Sequence, residues 1–216
     1  MMQIFKEIIN NFWGRTKLYS LFSLRNKGYL LEMGWFESRK KGMPINAEGN
    51  PIPWITYPCL KFLEDRLPSG ISVFEYGTGG STLWWADRAE KVVTCEHDSV
   101  WYDRLSASLP ANVKSNLVAL EYGGDYCKKV LEYVDCFDVI FIDGRDRVNC
   151  VKNSLSALSR DGVLILDNSD VSEYEEALTF LAEKGFKRID FPGPGPINIH
   201  PWRTSIFYNN DNVLGL

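Results

Sequence analysis

Residues 72–82 read Ser72-Val73-Phe74-Glu75-Tyr76-Gly77-Thr78-Gly79-Gly80-Ser81-Thr82. The first five residues are typical of a strand, and the pattern from Ser81 to Arg88 indicates the start of a helix. Glycine between the two lets the backbone turn sharply and approach a ligand closely. Ligands in open α/β sheets bind beyond the carboxyl ends of the strands. The stretch therefore predicts an α/β sheet with a binding site at this edge.

The alternation of strands and helices continues to the end of the chain. The predicted strands occupy residues 72–76, 91–96, 116–120, 137–142, 163–167, 186–191 and 204–208. The first five are separated by segments long enough for crossover helices, which predicts a parallel sheet covered on both faces. The last two are joined by Pro192-Gly193-Pro194-Gly195-Pro196 and a short loop, which predicts an antiparallel hairpin. The expected fold class is an α/β three-layer sandwich with a seven-stranded, mostly parallel sheet and a C-terminal antiparallel hairpin.

The chain has 216 residues, of which 45% are hydrophobic and 24% charged, as expected for one α/β domain with a modest extension. We expect an N-terminal helical and loop extension over residues 1–55 and the main domain over residues 56–216. Apolar residues recur at helical spacing near the start: Ile4, Phe5, Ile8, Ile9, Phe12 and Trp13. A helix with this apolar spacing is expected to pack on the domain. Because residues 1–30 are also basic, the alternative is that the helix contacts a membrane surface or a partner. Residues 42–58 are rich in Pro and Gly and predict a loop before a helix over residues 58–67.

Charge and cysteine content exclude several classes of protein. The net charge is -4 and the isoelectric point is about 5.3, so no nucleic-acid-binding surface is expected. The five cysteines are an odd number without CxxC spacing, which argues against a zinc site and a disulfide framework. No apolar run is long enough to span a bilayer. We expect a cytoplasmic enzyme without a transmembrane segment, with the oligomeric state left open.

Acidic residues lie at or after the carboxyl ends of the first three predicted strands. Glu75 lies directly before the glycines, and Glu96 ends the second strand at the spacing seen in dinucleotide sites, where a carboxylate binds ribose hydroxyls. Three features argue against NAD. Thr82 stands where the dinucleotide fingerprint has its third glycine, Glu75 would repel a pyrophosphate but can pair with an ammonium, and Asp125 follows the third strand, where it can accept adenine amino hydrogens.

These segments resemble the class I S-adenosylmethionine (SAM)-dependent methyltransferases, which have a Rossmann-like fold. The resemblance covers roughly residues 55–208 and rests on residues 73–82, on Glu96-His97-Asp98, on Gly124-Asp125 and on residues 137–144. It implies that Glu75 holds the methionine end of SAM, that Glu96 binds the ribose, and that Asp125 lies near the adenine. His97 either flanks the adenine or is a surface residue. The cofactor site implied by the resemblance comprises Glu75, Gly77, Thr78, Gly79, Ser81, Thr82, Glu96, His97, Asp125 and Asp143.

Asp143, at the end of the fourth strand, is the candidate catalytic base, because an oxygen nucleophile must lose a proton before it is methylated. The alternative is that it orients the cofactor or caps the next helix. With Asp167 and Asn168 it resembles the ligand set of metal-dependent catechol-type O-methyltransferases, which implies a possible divalent cation. The resemblance departs at Asp146, where that group usually has lysine. The neighbouring arginines would otherwise bind an anionic substrate or pair with acids such as Asp146 and Asp170.

The acceptor of the methyl group is expected to be a small molecule or a glycan. Residues 53–58 and 192–202 bring aromatic side chains to places where this fold commonly binds substrate, although such loops also pack simply against each other. The candidate substrate residues are Tyr57, Arg145, Asn198 and Trp202. The late segments resemble bacterial methyltransferase-like proteins linked to cell-surface polysaccharides. Two alternatives stay open: an NAD-dependent oxidoreductase, and a non-catalytic protein that keeps the fold.

Overall fold

A computed structural model describes residues 17–216 and contains one seven-stranded sheet. The strands are β1 (Ile71–Tyr76), β2 (Ala89–Glu96), β3 (Val113–Leu117), β4 (Phe137–Ile142), β5 (Leu158–Leu166), β6 (Lys187–Gly193) and β7 (Trp202–Tyr208). Their order in the sheet is β3-β2-β1-β4-β5-β7-β6. The first five strands are parallel, whereas β7 runs antiparallel to both β5 and β6. The predicted fold class is confirmed.

The helices of the described residues lie between the strands and before them. They are α1 (Lys17–Asn26), α2 (Tyr29–Glu32), α3 (Trp35–Lys41), α4 (Tyr57–Arg66), α5 (Gly80–Ala86), α6 (Ser99–Ser106), α7 (Asp125–Lys128), α8 (Arg147–Ser154) and α9 (Glu175–Glu183). Two 3-10 turns cover Lys129–Glu132 and Ser172–Tyr174. The helix predicted over residues 58–67 corresponds to α4, which has Pro58 in its first turn, where proline is tolerated.

Alternate residues of the central strands point to opposite faces, and each face has its own apolar core. Phe74 and Tyr76 lie in one cluster with residues of α7, α8 and α9. Val73 lies in the other with residues of α4 and α5. Because parallel strands are buried on both faces, β1 and β4 are almost wholly inaccessible to solvent. This burial fixes the strand ends, and with them the glycine turn.

The third strand differs from the prediction, which placed it over residues 116–120. It runs instead over Val113–Leu117 and ends where the Val118 amide donates to the Glu96 carbonyl at 2.8 Å. The apolar run that suggested a strand continues past this point, but its residues pack partly buried against the core outside the ladder. β3 is an edge strand with no fully buried residue, so its apolar pattern is a weak guide to its bounds.

The first described residues pack on the rest of the chain through several contacts. The Trp35 indole Nε1 donates to the Asn198 carbonyl at 2.9 Å, and Arg39 donates to the Ile197 carbonyl at 3.0 Å. Ile52 and Ile55 are buried in the same cluster as Val73. Apolar contacts therefore cross the division between residues 1–55 and 56–216, which stays a prediction. The helix predicted around Ile4–Trp13, with its proposed membrane contact, lies outside the described residues.

Two further findings concern membranes and cysteines. Within residues 17–216, no helix is long and apolar enough to cross a bilayer. All five cysteines are free thiols, and four of them are buried, with Cys136 exposed.

Candidate functional site

The glycine turn joins β1 to α5 at the carboxyl edge of the sheet. Gly77 has φ +105°, a conformation that L side chains rarely adopt, and its amide donates to the Cys95 carbonyl at 2.8 Å. The Gly79 amide donates to the Thr82 hydroxyl at 2.9 Å, which closes the first turn of α5. The turn is thus held to both β2 and α5, and its backbone faces the space above the sheet.

Glu75 is a buried acid directly beneath this turn. Only 1% of its surface is exposed, and the hydroxyls of Ser81 and Thr82 donate to its two carboxyl oxygens, the latter at 2.6 Å. Burial raises the pKa of Glu75 to about 8, against the opposing effect of the two hydroxyls. Thr82 stands at the position of the third dinucleotide glycine, and here its side chain is needed to hold Glu75.

Glu96, at the end of β2, ties the turn to the following segment. One carboxylate oxygen accepts from the Thr78 amide at 2.9 Å, and the other accepts from the amides of His97 and Asp98 at 2.8 and 2.9 Å. The side chain is nearly fully buried. A carboxylate has about four acceptor sites, so these three bonds leave capacity for a further donor.

A cavity of about 410 Å³ opens above these residues. Its walls contain most of the predicted cofactor residues: Glu75, Gly77, Thr78, Gly79, Ser81, Glu96, His97 and Asp143. Thr82 is not part of the wall and reaches the site through Glu75. Asp125 is exposed at the start of α7 and is also absent from the wall, so its predicted contact with adenine has no support in this cavity.

The wall also includes residues outside the predicted site. The Trp101 indole Nε1 donates to the Thr78 carbonyl, which places this ring against the glycine turn. Met43, Ile52 and Trp54, from the segment before α4, also line the cavity. The sequence does contain a local signal for the position of Trp101. Asp98 caps α6 by accepting from the Trp101 amide at 3.0 Å, which places Trp101 in the first turn of this helix. The contribution of residues near Met43 has no local signal.

A second cavity of about 300 Å³ adjoins the first and shares Trp54, Asp143 and Arg145 with it. Its other wall residues are Arg147, Asp167, Asn168, Asn198 and Trp202. Three of the four predicted substrate residues therefore meet here. Tyr57 does not, because it is fully buried in the apolar core and its ring packs edge-on against Tyr29 at 6.1 Å. The ring of Tyr57 therefore serves core packing. Sequence alone does not distinguish an aromatic ring that packs in the core from one that binds substrate.

Asp143 and Asp167 meet in this second cavity. Burial raises the pKa of Asp143, and the nearby Arg147 guanidinium partly opposes this. Burial and the Asp143 charge raise the pKa of Asp167. Asp167 also accepts from the Trp202 indole Nε1 at 2.9 Å and from the Thr204 hydroxyl at 2.5 Å. Two acids with raised pKa values thus face one polar cavity.

The arginines of this region do not pair as one alternative suggested. Arg147 forms an ion pair with Asp143 at 3.0 Å and is buried, whereas Arg145 is exposed on the cavity wall. The Asp146 carboxylate instead accepts from the Gly123 amide at 2.8 Å and the Asn149 amide group at 2.7 Å. Asp170 accepts from the Arg203 backbone amide at 3.1 Å.

No protein-family model matches the chain, and no curated protein matches it. Its fold resembles solved structures at low identity. A SAM-dependent O-methyltransferase from Thermotoga maritima has 16% identity and a TM-score of 0.53, with 73% of this chain and 67% of that one covered. A Streptococcus mutans protein assigned as a methyltransferase, in complex with S-adenosylhomocysteine, has 16% identity and a TM-score of 0.51, with 72% and 99% covered.

The fold also resembles that of an enzyme that is not named as a methyltransferase. Spermidine synthase from Thermotoga maritima has 18% identity and a TM-score of 0.51, with 68% of this chain covered. This chain spans 56% of the length of that synthase. With its parallel strands, glycine turn and closing hairpin, the chain has the Rossmann-like fold of the class I SAM-dependent methyltransferases, which spermidine synthase shares.

Proposed function

We propose that this protein is a SAM-dependent methyltransferase. The observation that carries the proposal is the larger cavity, in which a buried acid, a bare glycine backbone and a second acid line one space. Glu75 would receive the ammonium of the methionine moiety, and the turn from Gly77 to Gly80 would lie beneath the cofactor. Glu96 would accept from a ribose hydroxyl through the acceptor site that its three amide bonds leave free. Trp101 and His97 supply ring faces and edges for the adenine.

We further propose that the acceptor atom is an oxygen of a small molecule or a glycan. The smaller cavity supports this, because it joins the cofactor cavity at Asp143 and is lined by acids, amides and two indoles. In such a reaction Asp143 would take the proton of the acceptor hydroxyl. SAM, held by Glu75, Glu96 and the glycine turn, would supply the activated methyl group to the acceptor oxygen and would leave as S-adenosylhomocysteine. Arg145, exposed on the wall of both cavities, would meet an anionic group of the acceptor.

Ligand-dependent stability tests the cofactor assignment. SAM or S-adenosylhomocysteine at a hundred times its Kd is expected to add about 2.7 kcal/mol to the free energy of unfolding, which thermal denaturation can follow. NAD at the same concentrations is expected to leave the transition unchanged. If neither adenosyl compound shifts the transition, the methyltransferase proposal fails, and a shift by NAD alone would support the oxidoreductase.

Transfer of the methyl group separates an enzyme from a binding protein. Protein incubated with methyl-labelled SAM and a panel of catechols and methyl glycosides is expected to release a labelled methyl ether, which survives mild alkali. Binding of SAM without labelled product from any hydroxyl compound would favour the non-catalytic alternative. Labelled product that alkali cleaves would indicate a carboxylate acceptor and would contradict ether formation.

The buried acid predicts that SAM affinity depends on pH. Because the pKa of Glu75 is raised to about 8 in the free protein, this side chain is mostly protonated at pH 6 and must lose its proton to pair with an ammonium. Affinity is therefore expected to rise with pH, by up to about tenfold per unit between roughly pH 6 and 7.5, and to level off above about pH 8. Calorimetric titration measures this directly.

Two controls isolate the contribution of Glu75. The ligand 5′-methylthioadenosine has the nucleoside but no ammonium, so its affinity should change much less with pH. A Glu75→Gln variant should bind SAM more weakly at pH 8 and lose the steep rise. Equal pH dependence of SAM and 5′-methylthioadenosine would show that Glu75 does not receive the ammonium.

A further inference from the structure

The side chain of Arg147 fills the space between the ends of β4 and β5. Its Nε donates to the Gly144 carbonyl at 3.0 Å, and Nη1 donates to the Asp167 carbonyl at 2.5 Å and to Asn168 Oδ1 at 3.1 Å. Nη2 donates to the carbonyl and to Oδ1 of Asp143, both at 3.0 Å. A guanidinium has five N–H groups, and the five bonds use all of them.

The position of this guanidinium is constrained by more than its hydrogen bonds. Arg147 is 5% exposed, and its guanidinium carbon lies 5.4 Å from the centre of the Tyr174 ring. Arginine at such a stacked, fully hydrogen-bonded site behaves as a fixed planar cation. With no N–H left over, its role toward an acceptor is indirect, through the groups that it holds.

The oxygens that Arg147 occupies are those that a divalent cation would need. Magnesium and calcium bind carboxylate and amide oxygens, and the candidates were Asp143, Asp167 and Asn168. Oδ1 of Asp143 and Oδ1 of Asn168 accept from Arg147, and Oδ1 of Asp167 accepts from two other side chains. Across residues 17–216, no group of three His, Cys, Asp or Glu side chains is placed to hold a metal, so the two aspartates have no third ligand of these types beside them. The residues do not fit a metal while Arg147 is in place.

We infer that the Arg147 guanidinium takes the place of a divalent cation between β4 and β5, and that the acceptor cavity operates with this built-in cation. The inference rests on the proposed function for the reaction itself. Arg147 is a positioning residue that fixes Asp143 and the loop with Asn168 at the cavity wall. A metal would favour an acceptor with two neighbouring oxygens that chelate it. When no metal is bound, one hydroxyl is enough for the reaction, and a second oxygen beside it does not improve binding. The acceptor class that fits is therefore an isolated alcohol, such as one hydroxyl of a sugar, rather than a chelating catechol.

Metal binding tests this inference without any acceptor or cofactor. Titration with Mn²⁺, followed by electron paramagnetic resonance, is expected to show no saturable site in the wild-type protein up to about 1 mM. An Arg147→Ala variant frees the oxygens of Asp143 and Asn168 and is expected to bind one Mn²⁺ with a Kd on the order of 10⁻⁴ M. Arg145→Ala removes a neighbouring, exposed arginine and is the matched control, which should gain no site. Adding Asp143→Asn to Arg147→Ala should abolish the new site.

Several outcomes would overturn the inference. Saturable Mn²⁺ binding by the wild type that Asp143→Asn abolishes would show that a metal coexists with Arg147. A folded Arg147→Ala variant without any Mn²⁺ site would show that the guanidinium does not replace a cation. If that variant does not fold, the wild-type titration with and without Asp143→Asn decides. Because these readouts need no SAM, failure of the proposed function leaves them unaffected, and failure here leaves SAM binding intact.

Discussion

An Asp143→Asn variant is expected to transfer methyl groups about 10²- to 10⁴-fold more slowly than the wild type, the range typical of losing a general base. Asparagine keeps the size of the side chain and the oxygen that accepts from Arg147, but it cannot take up the acceptor proton. The Kd for SAM should stay nearly unchanged, because the ammonium of the cofactor is assigned to Glu75. Single-turnover transfer of labelled methyl to the hydroxyl acceptor found in the panel, alongside calorimetric SAM binding, measures both quantities.

Asp146→Asn provides the matched control for this variant. Asp146 is also an acid between β4 and α8, but its carboxylate bonds to Gly123 and Asn149 and lines neither cavity. Its replacement should lower stability and leave transfer close to normal. Undiminished transfer by Asp143→Asn would eliminate the base role. Loss of SAM binding together with transfer would assign Asp143 to the cofactor instead.

A Glu96→Ala variant is expected to bind SAM about 10- to 100-fold more weakly, since one hydrogen bond from a ribose hydroxyl to a carboxylate contributes about 1.5–3 kcal/mol. The variant should also lose about 3 kcal/mol of unfolding free energy, because three backbone amides lose their acceptor. Thermal denaturation with and without SAM measures both effects, and the SAM-induced shift should fall to about half or less of its wild-type size.

The control for Glu96 must loosen the glycine turn without removing a ribose acceptor. Thr94→Val does this, because the Thr94 hydroxyl bonds to the Thr78 hydroxyl at 3.0 Å and to the Ser115 hydroxyl at 2.9 Å behind the turn. The valine variant should be less stable and still show the SAM-induced shift. A Glu96→Ala protein with wild-type affinity would rule out the ribose contact, whereas equal affinity loss in both variants would attribute the effect to the turn.

Local periodicity predicts the bounds of β4, in the middle of the sheet, more closely than those of β3, at its edge. The fourth strand lies at 137–142 as predicted, because a strand buried on both faces is a continuous apolar run bounded by polar residues. β3, on the edge of the sheet, lies at Val113–Leu117 rather than 116–120. At an edge, hydrogen bonding to a single neighbour sets the bounds, and apolar residues beyond the ladder can be buried by other means.

Chain order within a strand–turn–helix unit is enough to predict which acids end the strands and that a glycine turn begins the site. What surrounds these groups depends on contacts between distant parts of the chain. Tyr57 is aromatic, as many pocket residues are, but it lies in the core. Asp125 follows the third strand but lies outside the cavity wall. The insertion of Arg147 between Asp143 and Asn168 depends on the packing of α8 against two strand ends that are far apart in sequence. Spacing can predict that these oxygens converge, but the cation that they bind is set by three-dimensional contact.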